Sequence, residues 1–153
     1  MSKSLDKLQK EINKEYEKQG LRPPICEPEP IGYLTTGFET LDTALGGGWA
    51  QGKIMELWGV PGCGKTTLAL QTIAKAQKVG KNCVFIDVER AFNTDYATTV
   101  GVDVKKLIYV KPDYAEQALE MAYRFVDTGE VGLIVLDSVA SLLSKDTQDR
   151  SFE

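Results

Sequence analysis

The spacing of hydrophobic residues changes along the chain, and each change marks a different kind of element. In SLDKLQKEINKEYEKQG, Leu5, Leu8, Ile12 and Tyr16 recur at intervals of three and four with Lys and Glu among them. That spacing puts one apolar stripe on an otherwise solvated helix, with Gly20 as its C-terminal stop. A stripe this narrow can pack on its own domain or against another subunit. The next stretch, RPPICEPEP, holds four of the chain's six prolines. Proline lacks a backbone donor and disfavours helix in the residue before it, so an extended linker is expected.

Beyond the linker the pattern becomes an alternation of strands and helices. FETLDTAL reads as a short helix ended by Gly46, Gly47 and Gly48, and KIMELWG as a buried strand entering a glycine-rich loop. TTLALQTIAKAQKVG has helical periodicity with a glycine stop, and NCVFIDVE is a strand that ends in acidic residues. NTDYATTVG predicts a short helix, KLIYVKP a strand, and DYAEQALEMAYRFVDTG a longer helix with Asp113 near its positive end. VGLIVLDS is a further strand, apolar up to Asp137 and so expected to be buried on both faces. Apolar strands alternating with helices imply an α/β domain, a mostly parallel sheet with helices on both faces. The chain divides accordingly into an N-terminal helix (1–21), a Pro-rich linker (22–30) and an α/β domain (31–153).

Composition alters this picture little. With 42% hydrophobic and 26% charged residues, the chain is typical of a soluble globular protein. A net charge of −4 gives no overall attraction to nucleic acid, so a DNA contact would need a local basic patch. Three scattered cysteines, Cys26, Cys63 and Cys83, with no histidine, are neither a zinc pattern nor a disulfide framework and read as free thiols in a reducing cytoplasm. No apolar run is long enough for a signal peptide or membrane span.

The chemistry begins at GVPGCGKT, Gly59 to Thr66, which fits G-x-x-x-x-G-K-[ST] between a predicted strand and a predicted helix. Glycines let the backbone turn its N–H groups onto phosphate oxygens, and the following helix presents its positive end to the same anion. The nucleotide contacts fall on Gly59, Val60, Pro61, Gly62, Cys63, Gly64, Lys65, Thr66 and Thr67. Lys65 reaches the β- and γ-phosphates, and Thr66 offers its hydroxyl to Mg²⁺. Asp137, delivered at the end of an apolar strand, is the second metal residue. VFIDVER supplies Asp87 and Glu89, two residues apart and hence on the same side of an extended chain, as candidates to orient or deprotonate the attacking water. Glu89, farther beyond the apolar run, is the better placed.

The words LTTGFETLDTALGGG, GKIMELWGVPGCGKTTLALQTIAKAQKVGK, CVFIDVERAF, YATTVGVD, PDYAEQALEMA and LIVLDSVASL resemble, in order and interval, the bacterial RecA recombinases from Leu34 onward. The resemblance implies a RecA-like P-loop ATPase core and ATP-dependent filament formation on single-stranded DNA, with strand exchange in recombination and repair. It makes Glu89 the catalytic glutamate, Tyr96 the tyrosine that stacks on adenine, and Lys65, Thr66 and Asp137 the phosphate and metal residues. It also docks the N-terminal helix, through Leu5, Leu8 and Ile12, on a neighbouring subunit. Two positions depart from the family: Asn93 stands where an Asp lies near the adenine amino group, and the loop interior reads VPGC in place of PESS. Cys63 therefore brings a thiol close to the phosphates, and repulsion by polyphosphate favours its neutral form.

In the family, the sequence after DSVASLL carries the DNA-binding loops and a strand lying between the phosphate-loop strand and the acidic strand. The expectation is thus an N-terminal half with an incomplete core: a truncated product, a fragment, or one piece of a split protein. Two other readings compete: another RecA-fold ATPase of helicase or clock type, and a non-catalytic module that binds RecA-type subunits through its N-terminal helix.

Overall fold

A computed structural model describes residues 3–24, 26 and 30–142. They form two compact units, one ending at Ile31 and one starting at Gly32. The first contains helix α1, Lys3–Lys18. Its apolar stripe exists as expected, with Leu5 and Leu8 half-exposed, and Gly20 ends it in the left-handed region at φ 73°.

The second unit runs β1 (Tyr33–Leu34), α2 (Glu39–Ala44), β2 (Trp49–Ala50), α3 (Lys65–Lys78), β3 (Asn82–Asp87), α4 (Thr94–Val100), β4 (Leu107–Val110), α5 (Ala115–Asp127) and β5 (Val131–Asp137). A 3₁₀ turn, Val139–Ser141, follows. The main sheet is parallel in the order β4-β3-β5. Its central strand β3 alternates its side chains between two cores, as a strand must. Cys83 and Phe85 pack with Leu70 and Ile73 of α3 and Ala97 of α4, while Val84 and Ile86 pack with Ala118 of α5. Helices therefore cover both faces, and the fold is mixed α/β with a parallel sheet.

A two-stranded antiparallel piece, β1 with β2, was not evident in the sequence. It depends on Gly48, at φ 113°, where a Cβ would stand 2.4 Å from the Leu34 carbonyl oxygen. That glycine does more than stop α2: it lets two backbones touch.

Two expectations fail. Residues 54–59, the core of the expected KIMELWG strand, belong to no helix or strand, and every one is exposed; Ile54 is 102% and Trp58 84% accessible. An extended segment is stable only as part of a hydrogen-bonded ladder, and among the described residues no strand pairs with this one. Strand β5, expected to be buried on both faces, is half-buried from Leu133 to Leu136. It pairs with β3 along one edge and with no described strand along the other.

Candidate functional site

The C-terminal ends of β3 and β5 meet the N-terminus of α3, and the sequence-predicted residues gather there. The turn before α3 uses Gly62 and Gly64 at φ 77° and 93°, values that a residue with a Cβ rarely adopts. Gly64 is the N-cap of α3, no side chain caps the helix, and its first turn holds no acidic residue. The first-turn N–H groups, with the helix dipole behind them, therefore present a positive end suited to an anion. Gly59, Val60, Pro61 and Cys63 lie on the exposed approach to this turn. The Lys65 ammonium folds back over it, donating to the carbonyls of Gly59 at 2.9 Å and Val60 at 3.1 Å.

Thr66, one turn position on, donates its hydroxyl to Asp137 Oδ2 at 2.7 Å. This bond ties the start of α3 to the end of β5 across 71 residues of sequence. Among the described residues no group of three His, Cys, Asp or Glu side chains is placed to hold a metal. The Thr66–Asp137 pair nevertheless suits Mg²⁺, which takes one or two protein oxygens and completes its octahedron with water and phosphate.

Asp87 and Glu89, expected on one side of an extended chain, part company because β3 ends at Asp87. Asp87 is buried and accepts from the Ala91 N–H at 3.1 Å, the Phe92 N–H at 3.0 Å and the Tyr109 hydroxyl at 2.7 Å. It anchors the loop after β3, and its burial together with these three bonds commits it to that loop. Burial, then the bond to Asp87, pushes the Tyr109 phenol up to about 12. Glu89 is exposed and accepts at Oε1 from the hydroxyls of Ser138 at 2.5 Å and Ser141 at 3.0 Å. Ser138 first, then Ser141, holds its carboxyl below the usual glutamate range.

Tyr96 and Asn93 sit at the start of α4. The Tyr96 hydroxyl lies 2.7 Å from the Thr67 hydroxyl, which joins α4 to α3 beside the loop. Asn93 is the N-cap of α4 and accepts from the Tyr96 N–H at 2.8 Å. A capping role suits Asn as well as Asp, which gives a structural reason for asparagine at this position.

Three residues at or near the site went unrecognised in the sequence. Ser138 and Ser141 follow the acidic strand at the three-residue spacing of a helical turn, a signal that was available but unspecific. Tyr109 carried none, since nothing local links it to Asp87, 22 residues earlier. A separate concavity lined by Thr35, Asp42, Thr43 and Lys75 is structural in character: Asp42 accepts from the Thr35 hydroxyl and the Thr36 N–H, and these bonds, Thr35's first, hold its carboxyl below the usual aspartate range.

Comparison with known proteins bears on the family of the chain. The family model of the RecA N-terminal domain matches residues 3–152. Protein RecA of Sulfurovum sp. (strain NBC37-1) is 48% identical over 145 residues, covering 94% of this chain and 42% of that protein. Protein RecA of Sulfurimonas denitrificans is 47% identical over the same length and shares. Protein RecA of Aquifex aeolicus is 45% identical over 146 residues, again 94% of this chain and 42% of the relative. The chain thus spans about two fifths of the length of the curated relatives it matches. With a parallel α/β sheet, the words in register and a domain match over nearly its whole length, the chain belongs to the RecA family, in that family's N-terminal domain.

Proposed function

We propose that this chain carries the ATP-binding part of a DNA-dependent ATPase, a cytoplasmic recombinase that forms filaments on single-stranded DNA in homologous recombination and repair. The observation that carries the reading is the Thr66–Asp137 bond at the uncapped start of α3. It joins a helix hydroxyl to a strand carboxylate where a phosphate can be bound.

In this reading the N–H groups from Gly62 to Thr67 cradle the phosphates. Lys65 exchanges its loop carbonyls for the β- and γ-phosphates. Thr66 and Asp137 would hold Mg²⁺, which would supply charge neutralisation at the phosphate oxygens. Glu89 takes a proton from water as the water oxygen bonds to the γ-phosphorus and the bond to the bridging oxygen breaks, releasing ADP and phosphate. Tyr96 offers its ring to adenine, at a position set by the Asn93 cap. The half-exposed stripe of α1 supplies self-association. No described helix is long and apolar enough to cross a membrane.

Fluorescent ATP-analogue binding and phosphate release test the reading. Lys65→Ala should weaken nucleotide binding by about tenfold or more, equivalent to roughly 1.4 kcal/mol. Glu89→Gln should bind normally and hydrolyse about 100-fold more slowly. Equal binding by Lys65→Ala and the parent chain would sink the proposal.

A further inference from the structure

Glu89 stands exposed just past the end of β3, and among the described residues its side-chain hydrogen bonds come from Ser138 and Ser141 and not from its own strand. A glutamate in that setting samples several rotamers, and a base that wanders from the line of attack loses rate steeply. The constraint comes from the segment after β5. There the Ser141 N–H bonds the Ser138 carbonyl at 3.2 Å, curling the Val139–Ser141 turn until the two serine hydroxyls lie 3.4 Å apart. Both then donate to the same carboxylate oxygen, Oε1 of Glu89. The Glu89 N–H also reaches the Asp137 carbonyl, at 3.4 Å. The end of β5 thus holds the glutamate's backbone, and the two serines after it hold its side chain.

We propose that Ser141, acting with Ser138, is a positioning residue: its hydroxyl fixes Oε1 of Glu89 and so presents Oε2 to the water that attacks the γ-phosphate. The geometry divides the labour between the two oxygens. Oε1 is committed to two donors and cannot also take a proton without losing one of them, so the proton passes to Oε2. The hydrogen bonds of Ser141 run to Glu89 and Ser138, and none among the described residues runs to Thr66 or Asp137. The inference rests on the role of Glu89 proposed above.

The test uses the full 153-residue chain, and Ser141→Ala, Ser141→Thr, the double variant Ser138→Ala/Ser141→Ala and Glu89→Gln. Two measurements are made: ATP turnover with Mg²⁺ and single-stranded DNA, and the side-chain carboxyl ¹³C resonance of Glu89, assigned by its loss in Glu89→Gln. Ser141→Ala should lower kcat about threefold to tenfold with KM for ATP unchanged within twofold, and the double variant should lower it further, because loss of orientation affects the transition state and not the binding of the nucleotide. The Glu89 resonance should move in Ser141→Ala. Ser141→Thr, which restores a hydroxyl, should recover both signals. An unmoved resonance, or a loss of rate that threonine does not rescue, overturns the inference. Should Glu89→Gln turn over ATP as fast as an active parent chain, the role of Glu89 itself fails; with or without turnover, the resonance separately reports whether the serine bond exists, and an unmoved resonance in Ser141→Ala overturns the inference.

Discussion

The two flanks of the glycine-rich loop are similarly apolar in sequence yet differ in the fold. Downstream, TLALQTIAKA becomes α3 and buries Leu70, Ile73, Ala74 and Ala76 against β3, with Ile73 wholly inaccessible. Upstream, KIMELW remains outside any helix or strand, with Ile54 and Trp58 in solvent. A helix satisfies its backbone within its own segment and needs from its surroundings only a surface to lie on. A strand must borrow its hydrogen bonds from a neighbour, so apolar character does not suffice to bury it. Half of the loop's support is therefore local, and half depends on what stands beside it.

The contrast can be broken by mutation. Phe85→Ala removes a buried ring that touches Phe92 at a centroid distance of 5.1 Å, and should cost about 3–5 kcal/mol in urea unfolding. Ile54→Ala, at a fully exposed position, should leave the unfolding midpoint where it was. A comparable loss at Ile54 would mean that the upstream flank is packed in solution, and the contrast would collapse.

Asp87 and Tyr109 test the downstream side more finely. Tyr109 titrates above its ordinary value because burial and Asp87 favour the protonated phenol. The stability it contributes is complete below pH 10, the ordinary tyrosine value, and is lost as pH rises towards about 12. Tyr109→Phe should be less stable than the parent at pH 8 and should show less decline between pH 10 and 12 in alkaline titrations followed by circular dichroism. Parallel alkaline curves would argue against the Tyr109–Asp87 bond.

The smallest effect is chemical. Cys83, buried in β3, has its thiol pushed up to about 11 by desolvation, while Cys63 and Cys26 are exposed. A thiol reagent at pH 8 should modify the latter two promptly and Cys83 only after unfolding. Rapid labelling of Cys83 would show β3 opening, and protection of Cys63 would show the upstream flank covered.

Much of the fold was legible wherever the signal is carried within a few residues. The stripe of α1, the glycine stop at Gly20, the strands around Phe85 and Val135, and the helix after the loop all follow from periodicity that backbone geometry imposes. So does the loop's turn, since positive φ at Gly62 and Gly64 demands glycine. The site was less legible. Lys65, Thr66, Glu89 and Asp137 could be named from motif and resemblance, but not the partners that hold them. Glu89 was preferred over Asp87 only for lying farther past the apolar run; the end of β3 separates them physically, turning Asp87 inward to Tyr109 and leaving Glu89 for the two serines.

The sequence by itself determined most of the element types, the α/β alternation and the glycine-rich turn before α3, because helical and strand periods and the demands of φ are local properties of the chain. Only the tertiary structure decided that KIMELW stays unpaired, that Asp87 serves the loop after β3, and that Ser138 and Ser141 hold Glu89. Each of those outcomes depends on a hydrogen-bond partner far away in sequence, present or absent among the described residues, and no local pattern encodes it.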